Sequence, residues 1–300
     1  MSNPPVDVYG LGQCCLDYIG EIETLPRPDG KEEFSRSVLE CGGPVATALV
    51  ALARWGLSCH FAGIVGDDVF AAMIEASLRH EGIDTGGLLH RGGSSQFACI
   101  AVEPAAARRT ILWQRPTGEP LRPDEVDTGI VCRAGAVYTD GLFIDAALHA
   151  CAIAKRSHIP VIVDAGTLRE GMLDLASLSD CFIVAEGFAR DLTGDDDPAR
   201  ACRMLAAYGP SVVGVTLGSK GYVALAGDRL ISGRAYPAEA VDTTGCGDIF
   251  HAGVTYGMIR GWSIDRSLDL GAWAAAAVSL EMGGRRGIPS IEALQERDDE

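Results

Sequence analysis

The sequence predicts a doubly wound α/β fold: a mostly parallel sheet with helices on both faces and a small β-sheet lid. Three observations lead there. Short apolar strand-like runs alternate with longer helical patterns through most of the 300 residues, which is the rhythm of βαβ units. Hydrophobic residues make up 47% of the chain, enough for one sizeable core. Two β-prone segments, about 14–40 and about 94–115, break the rhythm without any internal repeat or low-complexity linker. The expected organisation is therefore a single α/β domain over 1–300, with two insertions that together build the lid.

The elements follow in order. Val6-Asp7-Val8-Tyr9-Gly10-Leu11 reads as a buried first strand. Gly43 to Trp55, rich in Ala, Leu and Val and closed by Gly56, reads as a helix. His60 to Val65 is a strand, and Asp68 to His80 a helix capped by Asp67 or Asp68. Ala136 to Thr139 is a strand, Ile144 to Arg156 a helix and Val161 to Asp164 a strand. Cys181 to Val184 and Val212 to Thr216 are strands flanking a helix near Pro198 to Tyr208. In the insertions, Pro26, Pro28, Asp29 and Gly30 punctuate the first, while Phe97 to Val102 and Thr110 to Trp113 are the strand material of the second. The charged tail Gln295 to Glu300 is expected to fray.

Composition excludes several classes. A net charge of −16 argues against a nucleic-acid partner, because a phosphate backbone wants a basic face. No uninterrupted apolar run of about 18 residues suggests a membrane span, and Met1 to Pro5 lacks the start of a signal peptide. The ten cysteines are scattered, form no C-x-x-C pair and sit mostly in apolar stretches. That is the usage of free thiols in a reducing cytoplasm, and a cytoplasmic location is expected.

The most informative stretch is Asp242-Thr243-Thr244-Gly245-Cys246-Gly247-Asp248, followed by the apolar run Ile249 to Val254. Glycines at a helix start let backbone N–H groups converge on an anion, and the helix dipole favours negative charge there. A carboxylate in the same turn, Asp248, is placed to take a proton from a hydroxyl. Anion cradle plus base is what phosphoryl transfer to an alcohol needs. The plainer alternative is a glycine turn with Asp248 as an N-terminal cap. Neither a P-loop nor a complete Rossmann fingerprint occurs: Gly10-Leu11-Gly12 is not followed by the third glycine. A nucleotide site must be built another way.

The order D-T-x-G-x-G-D resembles the second signature of the PfkB or ribokinase family of carbohydrate kinases, and the resemblance extends over almost the whole chain. Gly42-Gly43-Pro44-Val45-Ala46-Thr47-Ala48 with Ala53-Arg54-Trp55-Gly56 resembles the first signature; Thr47 stands where the family commonly has Asn. Membership implies a ribokinase-like fold and ATP-dependent phosphorylation of a hydroxymethyl group on a small sugar. Asp248 would be the general base, and the amides of Gly245, Cys246 and Gly247 the anion hole. Asp17, Gly42, Gly43 and Thr47 would face the sugar. Val215-Thr216-Leu217-Gly218-Ser219-Lys220-Gly221 resembles the nucleotide loop, so Thr216, Gly218 and Gly221 would approach ATP. Gly284, in Met282-Gly283-Gly284-Arg285-Arg286-Gly287-Ile288-Pro289, would lie in the loop that closes over adenine. Asp242 and Thr244 match ligands of a monovalent cation, K⁺. Mg²⁺ would come with ATP, but Ala185 and Phe188 replace the Asn and Glu of the usual N-x-x-E motif, which leaves Glu186 as the nearest carboxylate. The family also implies homodimers joined through their lids, and the motifs look most like its ketose kinase side, sulfofructose kinases included.

Two rivals stay open. One is a nucleoside kinase on the same fold, with Trp113 and Phe97 stacking a purine. The other is a nucleotide-binding regulator without catalysis. The lid also carries Lys31, Arg108, Arg109 and Arg115. These cations either converge on an anionic acceptor, with Lys31 and Arg115 gripping it, or are solvated hairpin positives.

Overall fold

The computed structural model describes residues 6–106 and 108–299; Met1 to Pro5, read above for targeting signals, lie outside them. In chain order the strands and helices are β1 (Val6–Leu11), β2 (Cys15–Glu21), β3 (Arg36–Gly42), α1 (Pro44–Arg54), β4 (Cys59–Val65), α2 (Val69–His80), β5 (Asp84–His90), β6 (Phe97–Glu103) and β7 (Arg108–Gln114). There follow α3 (Thr128–Val131), β8 (Ala134–Thr139), α4 (Ile144–Arg156), β9 (Val161–Ala165), α5 (Met172–Leu178), β10 (Cys181–Ala185), α6 (Glu186–Thr193), α7 (Pro198–Ala206) and β11 (Val212–Thr216). The chain closes with β12 (Tyr222–Ala226), β13 (Arg229–Gly233), α8 (Cys246–Ile259), α9 (Ile264–Val278) and α10 (Ile291–Asp299).

The described residues form a nine-stranded sheet in the order β13-β12-β11-β10-β9-β8-β1-β4-β5. It is parallel from β11 to β5, and β12 and β13 add an antiparallel edge. Buried apolar clusters cover both faces: one joins α1, α2, α8 and α9 to the sheet, the other α4, α5 and α7. The strand order reverses at β1, whose neighbours are β4 and β8. In such folds ligands bind at the carboxyl ends of the strands beside that reversal. Among the described residues no helix is long and apolar enough to cross a membrane.

The two insertions do assemble one lid, a four-stranded sheet in the order β3-β2-β6-β7. Strand pleating gives it two faces. One cross-strand row, Val38, Ile19, Ile100 and Ile111, belongs to the face that packs with Met282 and Val241. Asp17, two residues from Ile19, points the same way. The next row, Leu39, Tyr18, Cys99 and Leu112, lies on the outer face, and there Leu39 is 47% and Leu112 70% exposed.

The elements begin where local chemistry allows. The Asp68 side chain accepts from Ala71 N–H at 2.9 Å and caps α2, as anticipated. Gly43 precedes α1 with φ 97°, and a Cβ there would meet the Gln13 carbonyl oxygen at 2.7 Å, so only glycine fits. The C-terminal segment corrects the expectation of a frayed tail. α10 runs through Asp299, Leu294 is buried, and Arg297 pairs with Asp269 while lying over the Trp273 ring, 5.3 Å from its centre.

Candidate active site

The signature loop ends in α8, whose N-cap Gly245 has φ 75°. A Cβ on Gly245 would sit 2.7 Å from Gly284 Cα, so the turn and the C-terminal loop close on each other through two glycines. In front of Gly247 there is open space: a Cβ would meet nothing within 4 Å. Cys246 N–H is engaged by the Thr243 carbonyl at 3.3 Å, which makes it the least available of the three anticipated amides. Burial pushes the Cys246 thiol up to about 12, so the side chain stays a neutral thiol.

Asp248 lies in the first turn of α8, and among the described residues its carboxylate has no hydrogen-bond partner. Burial raises its pKa well above the ordinary range. The charges of Asp164, Asp17 and Asp140 push the same way, and Arg109 opposes them. Strands from three parts of the chain thus bring carboxylates toward one point: Asp17 from β2, Asp140 just after β8 and Asp164 from β9. Arg109 reaches from β7 to the hydroxyl of Thr243. Beneath the loop, Tyr138 O–H donates to Asp164 Oδ2 at 3.1 Å. His251 Nδ1 lies 3.5 Å from the same oxygen and 2.7 Å from the Gly247 carbonyl. His251 therefore ties the floor of the sheet to the peptide that follows the anion hole. No local sequence pattern marks Tyr138 or Asp164; His251 lies in the run that follows the signature loop, with no role assigned to it from the sequence.

On the acceptor side, Asp17 is buried, accepts from the Cys15 thiol at 3.0 Å, and has its pKa raised chiefly by burial. It packs so closely on Gly42 that a Cβ there would be 2.0 Å from Asp17 Oδ2. Thr47 is buried, and its hydroxyl accepts from Arg285 Nε at 3.4 Å; the oxygen anticipated for the sugar is directed at a buried guanidinium instead. Arg285 also donates to Ser77 Oγ at 3.1 Å and to the Gly42 carbonyl at 3.4 Å. The sequence string Met282 to Pro289 drew attention to Gly284 and passed over Arg285. Asp140, also unanticipated, accepts from the backbone N–H of Gln13 and of Leu142, each at 2.9 Å, and burial raises it to about 6. Gln96 Nε2 donates to Gln13 Oε1 at 2.9 Å.

The lid cations do not act as one group. Arg108 is held by Glu103 at 2.9 Å. Lys31 is exposed in the segment between β2 and β3 and is not brought to the carboxylates by any contact among the described residues. Arg115 lies over the Trp113 ring, 4.9 Å from its centre. Phe97 stacks on Phe70 of α2 with centres 5.2 Å apart, so its ring is taken up inside the fold and does not form the aromatic pair with Trp113 weighed above.

On the nucleotide side, Gly218 and Gly221 have φ 58° and 92° and turn the chain from β11 into β12. Space is open at Gly218, whereas a Cβ on Gly221 would be 2.0 Å from the Gly233 carbonyl oxygen. Thr216 Oγ1 donates weakly to the Val184 carbonyl at 3.4 Å. Glu186 begins α6 and pairs with Lys220 at 3.0 Å. Asp242 is buried; Oδ1 accepts from Thr244 N–H at 2.9 Å and from Thr244 O–H at 2.8 Å, while Oδ2 accepts from Gly283 N–H at 3.0 Å. Its visible work is to join the two glycine loops. Among the described residues no group of three His, Cys, Asp or Glu side chains is arranged to hold a metal, so a cation at Asp242 would need main-chain carbonyls.

An open glycine loop at a helix N-terminus, an unpartnered carboxylate in its first turn and a β-sheet lid at the strand ends suit phosphoryl transfer to a small hydroxyl compound. Comparison with known proteins agrees. The chain matches the pfkB family carbohydrate kinase over residues 7–291. It is 25% identical to a 5-dehydro-2-deoxygluconokinase of Shouchella clausii, covering 96% of this chain and 94% of that one. It is 25% identical to a deoxyribokinase of Salmonella typhi, covering 97% and 98%. The structure of Arabidopsis thaliana ribokinase complexed with ribose and ATP superposes with a TM-score of 0.82 at 23% identity, covering 97% of this chain and 98% of that one. The chain belongs to the PfkB family of carbohydrate kinases and is an ATP-dependent sugar kinase with a ribokinase-like fold.

Proposed function

We propose that the protein transfers the γ-phosphoryl group of ATP to a hydroxymethyl oxygen of a small sugar, with Asp248 as general base. The observation that carries this reading is Asp248 itself: an unpartnered carboxylate made more basic by its surroundings, one residue from open space at a helix N-terminus. Asp248 takes the hydroxyl proton as the oxygen attacks the γ-phosphorus. The bond from that phosphorus to the β–γ bridging oxygen breaks, and ADP leaves. Charge on the transferring oxygens is met by the N-terminus of α8, through the amides of Gly245 and Gly247 first and Cys246 second. Asp17, Gly42 and Gly43 orient the sugar beneath the lid; Thr47 contributes through Arg285. Thr216, Gly218, Gly221 and Gly284 line the nucleotide side.

ATP is taken as its Mg²⁺ complex, the ion offsetting phosphate charge. Glu186, half-exposed beside Lys220, is the carboxylate placed to hold it through water. The hard oxygens around Asp242 suit K⁺. The names of the curated relatives point to acceptors such as a deoxygluconate or a deoxyribose. We further propose a homodimer joined through the outer lid face. There Leu39, Tyr18, Cys99 and Leu112 form an apolar row across all four strands, and an identical row on a second copy is its natural cover. The deciding experiment is ADP release with a panel of ketoses, deoxysugars, sugar acids and nucleosides. Turnover with a sugar supports the reading, turnover with a nucleoside alone replaces the acceptor class, and ATP binding without any turnover favours a regulator.

A further inference from the structure

In a chain of net charge −16, Arg54, Arg91, Arg108 and Arg229 each hold a carboxylate. Arg285, in the C-terminal loop, is only 4% exposed, yet the hydrogen-bond partners of its guanidinium among the described residues are all neutral. Nε donates to the Thr47 hydroxyl on α1 at 3.4 Å, Nη1 to the Ser77 hydroxyl on α2 at 3.1 Å, and Nη2 to the Gly42 carbonyl at the end of β3 at 3.4 Å. One planar fork therefore joins three elements. An apolar side chain of similar length would fill the same space without the cost of burying a charge. What the arginine adds is a connection from the C-terminal loop to the hinge where β3 leaves the lid and α1 begins.

The hinge is tight on its other side. A Cβ on Gly42 would be 2.0 Å from Asp17 Oδ2, and one on Gly43 would meet the Gln13 carbonyl oxygen at 2.7 Å. Gly42 thus carries Asp17 on one side and, through its carbonyl, Arg285 on the other. The loop reaches as closely in the opposite direction: a Cβ on Gly245 would be 2.7 Å from Gly284 Cα, and Gly283 N–H donates to Asp242 Oδ2 at 3.0 Å. Contacts run without a break from the signature loop through 283–285 to Asp17. A separate anchor spares the guanidinium: Arg54 Nη1 donates to the Arg285 carbonyl at 2.7 Å and Trp55 Nε1 to the Pro289 carbonyl at 2.9 Å. These main-chain contacts fix the loop on the end of α1 and leave the Arg285 side chain to serve the hinge. Its two hinge contacts are at the long end for N–H···O bonds and have room to shorten. We propose that Arg285 is a positioning residue that couples the nucleotide side to the acceptor side: nucleotide pressing on the C-terminal loop seats the fork on Gly42 and Thr47, stiffens the lid hinge and fixes Asp17 for the sugar. The inference rests on the nucleotide and acceptor sides proposed above and adds the link between them. Coupling is reciprocal, so a sugar that fixes Asp17 also holds the loop ready for nucleotide.

The test uses nucleotide alone, as the Mg²⁺ complex of the non-hydrolysable analogue AMP-PNP. Its binding is measured by calorimetry, and amide hydrogen exchange is followed in peptides covering 38–47, with and without the analogue, in wild type, Arg285→Met, Arg285→Lys and Ser77→Ala. Exchange reports local opening, and peptides from β9 and β10 report whether each variant is folded. In wild type the analogue should slow exchange at the hinge by about 5- to 150-fold, the usual size of coupling between two sites. Arg285→Met should still bind the analogue but lose this protection. Arg285→Lys keeps the charge without a fork to span Gly42 and Thr47; it should lose most of the protection too, and it decides the matter if the Met variant does not fold. Ser77→Ala removes only the arm to α2 and should leave the protection in place. Binding without hinge protection in wild type, protection that survives both Arg285 variants, or an equal loss in Ser77→Ala overturns the coupling while leaving the nucleotide side intact. Failure of wild type to bind AMP-PNP overturns the coupling together with the nucleotide side on which it rests.

Discussion

Replacing Asp248 by Asn should separate chemistry from folding and from nucleotide binding. The carboxylate accepts no hydrogen bond among the described residues, so the substitution breaks no internal contact. It removes a charge that burial, Asp164, Asp17 and Asp140 all disfavour. The sign follows from linkage. A carboxyl with a folded pKa raised above its unfolded value, about 3.9, adds stability only below that unfolded value. The contribution is lost as pH rises through the folded pKa. The Asn variant lacks this loss, so its melting temperature should match wild type near pH 4 and exceed it near pH 8. Activity should move the opposite way. General-base assistance is worth about 10²–10⁴ in rate, or about 2.7–5.5 kcal/mol of barrier, and kcat should fall by that factor while ATP still binds. The assay is coupled ADP release with an accepted sugar, alongside calorimetric nucleotide binding and thermal melts at both pH values. Turnover within about threefold of wild type in a folded Asp248→Asn protein would refute the base assignment. In wild type, kcat/KM should rise with pH through a limb lying above the usual carboxylate range. Asp164→Asn, which removes the largest of the neighbouring charges, should move that limb to lower pH.

Other expectations are simpler. Cys246→Ala should be nearly silent, because the half-buried neutral thiol supplies only volume, whereas Gly247→Val should lower kcat by about 10²-fold or more. Space is open at Gly247, so melting should confirm that the Val variant still folds; the reverse ranking would assign the thiol a role. Leu112→Glu should convert a dimer to monomer in light scattering, and a wild-type monomer at micromolar concentration rejects the lid interface. Replacing KCl by a tetraalkylammonium salt at constant ionic strength should lower kcat, and an unchanged rate removes the monovalent cation from Asp242.

The sheet and the signature loop were legible because their information is local. Val6 to Leu11 and Ile144 to Arg156 carry their periodicity within one segment, and the structure returns the same bounds. Gly43 and Gly245 announce backbone conformations that other residues resist. The edge elements were harder. β5 contains Gly86 and Gly87, which weaken any strand pattern, and β12 and β13 are five residues each. The tail looked frayed because charge is local, but what holds it, Asp269 and Trp273, is distant in sequence. The same reason hid Asp140 and Asp164, single polar residues in unremarkable segments; His251 and Arg285 sit within strings the sequence singled out, but their contacts exist only after β10, α8, α1 and the C-terminal loop have come together. Thr47, which departs from the usual Asn of the signature, turns its hydroxyl to Arg285, a contact distant in sequence.

The charge distribution poses one last problem. Three carboxylates, Asp17, Asp140 and Asp164, act on Asp248, where the proposed function has a polyanionic nucleotide deliver its phosphate. Their repulsion makes Asp248 a stronger base, yet it opposes the approach of ATP. The resolution lies in how the counter-charges are distributed. Arg109 acts on Asp248 from the lid and holds Thr243 at the edge of the signature loop. Arg285 acts on Asp17 and Glu40 from the other side. Glu40 lies against the C-terminal loop, where a Cβ on Gly283 would be 2.4 Å from Glu40 Oε2, so the lid strand β3 packs on that loop. Two of the positive charges that make the site tolerable for phosphate are therefore positioned through the lid and its contacts. A lid held closed presents Arg109 and Arg285 to the carboxylates, whereas moving it away would weaken Arg109's share of the compensation. On the proposed function, a lid closed over the sugar would complete the electrostatics for phosphoryl transfer, which would tie the use of ATP to the presence of an acceptor and disfavour its transfer to water.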